Sequence, residues 1–160
     1  MSTVESLRQI ELLSDLSDAT LEQLASMSRD VEYAATQTLF RQGDKAEDVF
    51  FIVSGKVAVA ICSSKFACRK IGTVSKGGLV GWSALLNRSQ MSAAAQATEA
   101  VRAIACHGEQ LRELCQQSPE LGFKVMSSVS SLLADRLSAT RMQLFETCGG
   151  QLPEVQIESD

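Results

Sequence analysis

The chain is short of several things that chemistry-bearing proteins use freely. Of its 160 residues one is histidine, one tryptophan and one tyrosine. Any Ser-His-Asp or Cys-His pair would have to be built on His107. That residue stands beside Gly108, where a strand-like run meets a helix-like one, a place suited to capping or solvent exposure. No P-loop, no dinucleotide-binding glycine pattern and no metal-spaced set of carboxylates occurs, so an enzyme is not expected. There is no excess of basic residues. The net charge of −4 offers no overall attraction to nucleic acid or to an anionic membrane. No apolar run approaches the ~18 residues of a membrane span, and "MSTVESLRQIELL" carries Glu5 and Glu11 where a signal peptide would need an apolar core. A cytoplasmic location is expected.

Cysteine is present, but not in a pattern. Cys62, Cys68, Cys106, Cys115 and Cys148 are odd in number and no pair has CxxC spacing, which points to neither a disulfide framework nor a zinc site. Most read as small buried hydrophobes, with Cys148, beside Gly149 and Gly150, the most exposed of them.

What the chain does have is a globular balance, 45% hydrophobic and 21% charged, and enough length for one domain with a real core. Leu7, Ile10 and Leu13 or Leu16 recur at helical spacing. Ser17 or Asp18 can cap a second helix in which Leu21, Leu24, Ala25 and Ser28 share a face. From Arg29 the period changes. "RDVEYA", "TLF", "DVFFIVSG", "KVAVAIC", "CRKIGTV", "MSAAAQA" and "AVRAIAC" are short strand-like runs, with turns expected at Gly43–Asp44, Gly55 and Gly77–Gly78. In "KVAVAIC" Val57, Val59 and Ile61 alternate with Ala58, Ala60 and Cys62, the period of a strand. Many short strands at this spacing predict a sandwich, barrel or jelly roll.

After Cys106 helical spacing returns. "EQLRELCQQS" puts Leu111, Leu114 and Cys115 on one face, and Pro119 suits the first turn of a last, long helix. Along it Val125, Met126, Val129, Leu132, Leu133, Leu137, Thr140 and Leu144 form a stripe longer than a compact barrel can cover, which predicts a homodimer through this helix. Lys124, Arg136 and Arg141 read as its solvated face. The expected layout is an α+β domain over 1–147, a β-roll with strands over about 29–106, flanked by N-terminal helices and by helices over about 108–146. Residues 148–160 read as a flexible acidic tail.

This order of elements is similar to that of the cyclic nucleotide-binding domain, including the effector half of Crp/Fnr-type regulators. The likeness runs from about Leu7 to Phe145. "LFRQGDKAEDVFFIVSGKVAVAI" resembles the family's opening strands, with Gly43 and Gly55 on its turn glycines. "GWSALL" resembles the start of its phosphate-binding cassette, Ala93 matches the small residue that closes it, and "LRELCQQSPELGFKVMSSVSSLLADRL" resembles its terminal helices. The resemblance implies a ligand site at Gly81, Trp82, Ser83, Ala84, Leu85, Arg88, Met91, Ser92 and Ala93. There, backbone N–H groups at the helix start favour an anion, a glutamate after the cassette glycine holds the ribose, and an arginine on the next strand pairs with the phosphate.

In this chain both charged positions depart from the pattern: Trp82 stands at the glutamate position and Met91 at the arginine position. Arg88 lies three residues from Met91 and so on the opposite face of a continuous strand, although its long side chain offers another route to the pocket. The N–H groups of Ser83, Ala84 and Leu85 remain, with Ser89 and Ser92 as neutral donors. Trp82 either plugs the vacated space or stacks on a ligand. Weak or absent binding of cAMP and cGMP is expected.

The leading expectation is a non-catalytic, ligand-sensing regulatory module for a cyclic nucleotide or another small anion, with no cofactor. Because only a short tail follows Phe145, no DNA-binding half and no direct nucleic-acid contact are expected. The alternatives are a partner-binding scaffold with a closed pocket, genuine cyclic nucleotide binding by an atypical pocket, and a haem or redox sensor using His107 or Cys106.

Overall fold

The run "DVFFIVS" has no polar residue between its ends, so a strand formed from it must be covered on both faces. In the computed structural model, which describes residues 2–64 and 67–157, it is covered on both. It forms Asp48–Ser54, the third strand (β3), and Val49 to Val53 are all buried. Three other strands share its sheet: β1 (Ser28–Tyr33), β6 (Leu79–Val80) and β8 (Val101–His107). Their order is β1-β8-β3-β6 and all pairs are antiparallel. The second sheet, β2-β7-β4-β5, is made of Thr38–Phe40 (β2), Val57–Ser64 (β4), Ala67–Val74 (β5) and Ala94–Ala97 (β7).

The alternation along β3 divides the interior in two. Val49, Phe51 and Val53 join Leu7, Leu21, Leu24, Ile104, Leu111 and Leu121 in a core shared with the helices. Phe50 and Ile52 face the other way and meet Val57, Val59, Val74, Ala95 and Ala103 between the two sheets. The architecture is therefore the expected jelly-roll-like β-roll with helices at both chain ends.

Local chemistry accounts for the flanking helices. Ser2 and Glu5 close a capping box on α1 (Thr3–Arg8), and the Ser17 hydroxyl accepts the Thr20 N–H to cap α2 (Asp18–Ser26). A 3₁₀ turn, Glu11–Leu13, lies between them. The short helix α3 (Trp82–Leu85) interrupts the strands, and α4 (Gly108–Gln117) and α5 (Pro119–Cys148) follow them, with Pro119 opening α5 as its composition predicts. At 30 residues α5 is about 45 Å long. Its first turns pack on the helix-side core, and Lys124 is ion-paired with Asp15.

Several sequence expectations need correction. Ser28 does not share the α2 face but opens β1. The run "MSAAAQA" becomes a strand only from Ala94. Ahead of it Met91 is held by the main chain of the Gly43–Asp44 turn: its N–H donates to the Asp44 carbonyl at 2.8 Å and its carbonyl accepts the Gly43 N–H at 2.9 Å. Strand β6, two residues long, is too short to leave a pattern. The terminal stripe is really two stripes. Val125 and Val129 are buried in their own domain and Leu132 packs against the same core, so these three are not free for a partner, whereas Met126, Leu133, Leu137 and Leu144 are exposed. Past α5 a 3₁₀ turn covers Gly149–Gln151 and residues 152–157 have no regular structure. The last three residues of the expected tail lie outside the described residues.

The cysteines also differ. Cys62 and Cys68 face each other across the β4–β5 hairpin and form a disulfide. Only Cys106 is buried; Cys115 and Cys148 are half-buried, and Cys68 is the exposed one. Cysteine usage thus gives no argument for a reducing compartment. Beside the bridge the Gln42 side chain acts as an extra strand residue, accepting the Cys62 N–H at 2.8 Å and donating to the Cys62 carbonyl at 3.2 Å.

Two outcomes check this arrangement. Unfolded but unreduced protein should expose three titratable thiols per chain, rising to five after reduction; five from the outset would exclude the bridge. Phe51→Ala, which empties the wholly buried face of β3, should lower the unfolding free energy in urea by about 3–5 kcal/mol.

Candidate ligand pocket

The pocket begins where β6 leaves its sheet. Gly81, at φ 83°, turns the chain in the left-handed region, and a Cβ there would stand 2.6 Å from the Asp48 carbonyl oxygen. Only glycine fits this turn without displacing backbone. It directs Trp82–Leu85 into α3, whose Ala84 and Leu85 side chains join the helix-side core. Behind α3 lies the start of α4: a Cβ on Gly108 would come within 2.6 Å of the Ala84 carbonyl, so two backbones touch with no side chain between them.

Gly81, Trp82, Ser83, Met91, Ser92 and Ala93 line one pocket, together with Phe40, Val59 and Val80 from the strands. Six of the nine sequence-predicted positions border this pocket, and Ala84, Leu85 and Arg88 do not. Arg88 is exposed and does not border the pocket, and its N–H serves the Ser83 carbonyl at 3.0 Å. Ser89 is exposed too, its carbonyl accepting the Ala46 N–H. Of the three backbone donors expected to await an anion, the Ala84 N–H is committed to the Gly81 carbonyl at 3.1 Å.

Apolar side chains dominate the space that remains. Met91 is 4% exposed, and Trp82, half-buried, packs against the helix-side core while also bordering the pocket. The cavity measures ≈ 20 Å³, room for about one water molecule. Its hydroxyl side chains are Ser83, 3% exposed, and the exposed Ser92, with their oxygens 3.2 Å apart.

One lining residue was read otherwise from the sequence. Arg136 of α5, expected on the solvated face, is half-buried and borders the pocket. Burial pushes its pKa down, yet a guanidinium keeps its proton at any ordinary pH. Among the described residues no carboxylate is ion-paired with it. A signal was available: Leu121, Val125, Val129 and Leu132 advance by four, four and three, and Arg136 is the next step of that inward stripe. Of its two companions on the predicted solvated face, Lys124 is held by Asp15 and Arg141 is exposed.

The haem or redox alternative gains nothing from the geometry. Burial pushes the Cys106 thiol up to about 12, which suppresses the thiolate needed for ligation or exchange. His107 is exposed at the start of α4, makes no side-chain cap and does not border the pocket.

Comparison with known proteins places this geometry. The cyclic nucleotide-binding domain family matches residues 30–118, more than half of the chain. The cAMP-activated global transcriptional regulator CRP of Salmonella typhimurium is 31% identical over 124 residues, 77% of this chain and 57% of that protein. The chain thus spans 57% of the length of the curated relative. A solved structure from Geobacter metallireducens superimposes with a TM-score of 0.70 at 26% identity, covering 86% of this chain and 99% of that one. The catabolite activator protein of Thermus thermophilus gives 0.66 at 25%, over 83% of this chain and 61% of that one. With the roll, the cassette turn at Gly81 and the terminal helices all in their places, this chain belongs to the cyclic nucleotide-binding domain family.

Proposed function

We propose that this chain is a non-catalytic regulatory module of its family whose pocket binds cAMP and cGMP weakly or not at all. The observation that carries the reading is the buried Met91 beside Trp82 in a cavity of ≈ 20 Å³. A cyclic nucleotide would have to displace both side chains, and it would find neither the ribose carboxylate nor the strand guanidinium. A charge-assisted hydrogen bond contributes about 1.5–3 kcal/mol net. Two lost contacts then weaken binding on the order of a hundredfold or more. The CRP relative is activated by cAMP according to its description; the substitutions at Trp82 and Met91 argue for a different trigger here.

The second element of the proposal is a homodimer through α5. Met126, Leu133 and Thr140, with Ser130, Leu137 and Leu144, repeat at alternating four- and three-residue steps on a face that the domain leaves open. Leucines at such positions interlock with the same positions of a second helix. In this arrangement a change at the pocket reaches a partner copy through the helix that borders both.

Trp82 supplies the assay for the pocket, since it is the single tryptophan and lies in the pocket wall. Its fluorescence is expected to stay unchanged through micromolar cAMP or cGMP, with no heat of binding by calorimetry; a saturable response in that range would overturn the reading. For the dimer, light scattering should give twice the 17.2 kDa chain mass for the parent and a monomer for Leu133→Glu. A monomer in both cases would remove the helix interface.

A further inference from the structure

An arginine buried without a counter-ion is costly unless something anionic meets it. Arg136 is half-buried, and among the described residues no carboxylate is ion-paired with it. Its guanidinium reaches from α5 to the pocket rim over β5, where Gly72 offers no side chain to obstruct it: a Cβ built there would stand 3.9 Å from Arg136 Nε. Among the described residues no hydrogen bond or ion pair engages it. Ser83 and Ser92 line the same pocket. Their mutual hydrogen bond uses one hydroxyl proton of the pair and leaves the other without an acceptor among the described residues. Ser83 is 3% exposed and Ser92 is exposed, so the pair spans the pocket interior and its mouth. The rest of the wall, with Met91 and Trp82, is apolar.

We infer that Arg136, with the hydroxyls of Ser83 and Ser92, forms a recognition site for an oxyanion, a carboxylate or phosphate ester, carried on a small apolar body. The cation would then come from the long helix and not from the strand after the cassette. The inference rests on the reading of this pocket as a ligand site that has lost its cyclic nucleotide contacts. The planar guanidinium matches a two-oxygen acceptor, the serine pair supplies neutral donors, and the apolar wall accommodates the body and excludes strongly hydrated ions. Admission requires the half-buried Arg136 side chain to swing outward, which an unbranched chain at the pocket rim can do without moving the backbone. Because the residue belongs to α5, occupancy of the pocket draws directly on the position of that helix.

The test is a titration of the full chain with benzoate, phenyl phosphate and the neutral benzamide, followed by Trp82 fluorescence and calorimetry. One or both anions should bind saturably and benzamide should not, the tighter of the two identifying the oxyanion class. Arg136→Gln should weaken that binding about ten- to hundredfold, Arg136→Lys should restore part of it, and Arg88→Gln should leave it unchanged. Equal binding by the parent and Arg136→Gln, or no binding of either anion up to about 10 mM, would overturn the inference and leave the weak-cyclic-nucleotide reading intact. Tight cAMP binding that is lost in Arg136→Gln would do the reverse, sinking that reading and keeping Arg136 as the anion partner.

Discussion

Strands β3 and β8 are buried on both faces, and everything else in the molecule is arranged around that fact. Phe51 and Ile104 sit opposite each other on the helix side, while Phe50 faces Ala105 and Ile52 faces Ala103 on the roll side. A strand pair with two apolar faces needs two layers to cover it. The second sheet provides one and the terminal helices provide the other. Neither layer is optional, since exposing either face would return wholly buried side chains to water at roughly 25 cal/mol per Å² of apolar surface. The pocket lies where these layers meet, between the edge strand β6, the short helix α3 and the far turns of α5.

This placement explains how a binding fold can keep its frame while its chemistry changes. Gly81 is dictated by the approach of the Asp48 carbonyl, and Ala84 and Leu85 by the helix-side core, so that stretch is constrained whatever the pocket holds. On the cassette side Trp82 and Met91 are uncharged, and on the helix side Arg136 carries a charge. Trp82 packs on the core, Met91 is pinned by the Gly43–Asp44 main chain, and Arg136 alone among the wall residues carries a formal charge.

Much of this was legible from residue order. Short strand-like runs between turn residues located seven of the eight described strands to within three residues of their ends, the Ser17 cap and Pro119 located helices, and the family resemblance put uncharged Trp82 and Met91 at the cassette's charged positions. What escaped has physical reasons. Strand β6 has two residues and no period. The Cys62–Cys68 bridge depends on hairpin register, which spacing does not specify, because a one-residue slip would put both sulfurs elsewhere. The two faces of α5 were read as one stripe because apolar residues occupy both, and only packing separates Val125 and Val129 from Leu133 and Leu137. Arg136 was assigned by charge to the solvent face, although its step along the helix pointed inward.

The contact between Gly108 and Ala84 has a mechanical meaning. Where side chains separate two helices, rotamer changes can absorb a displacement of several tenths of an ångström. Here main chain rests on main chain, and that cushion is missing. The α4–α5 corner at Gly122 is as close, since a Cβ there would stand 2.7 Å from the Cys115 carbonyl oxygen. Two glycines thus set the closest approaches along the path from α3 to α5, and a side chain at either would force the helices apart.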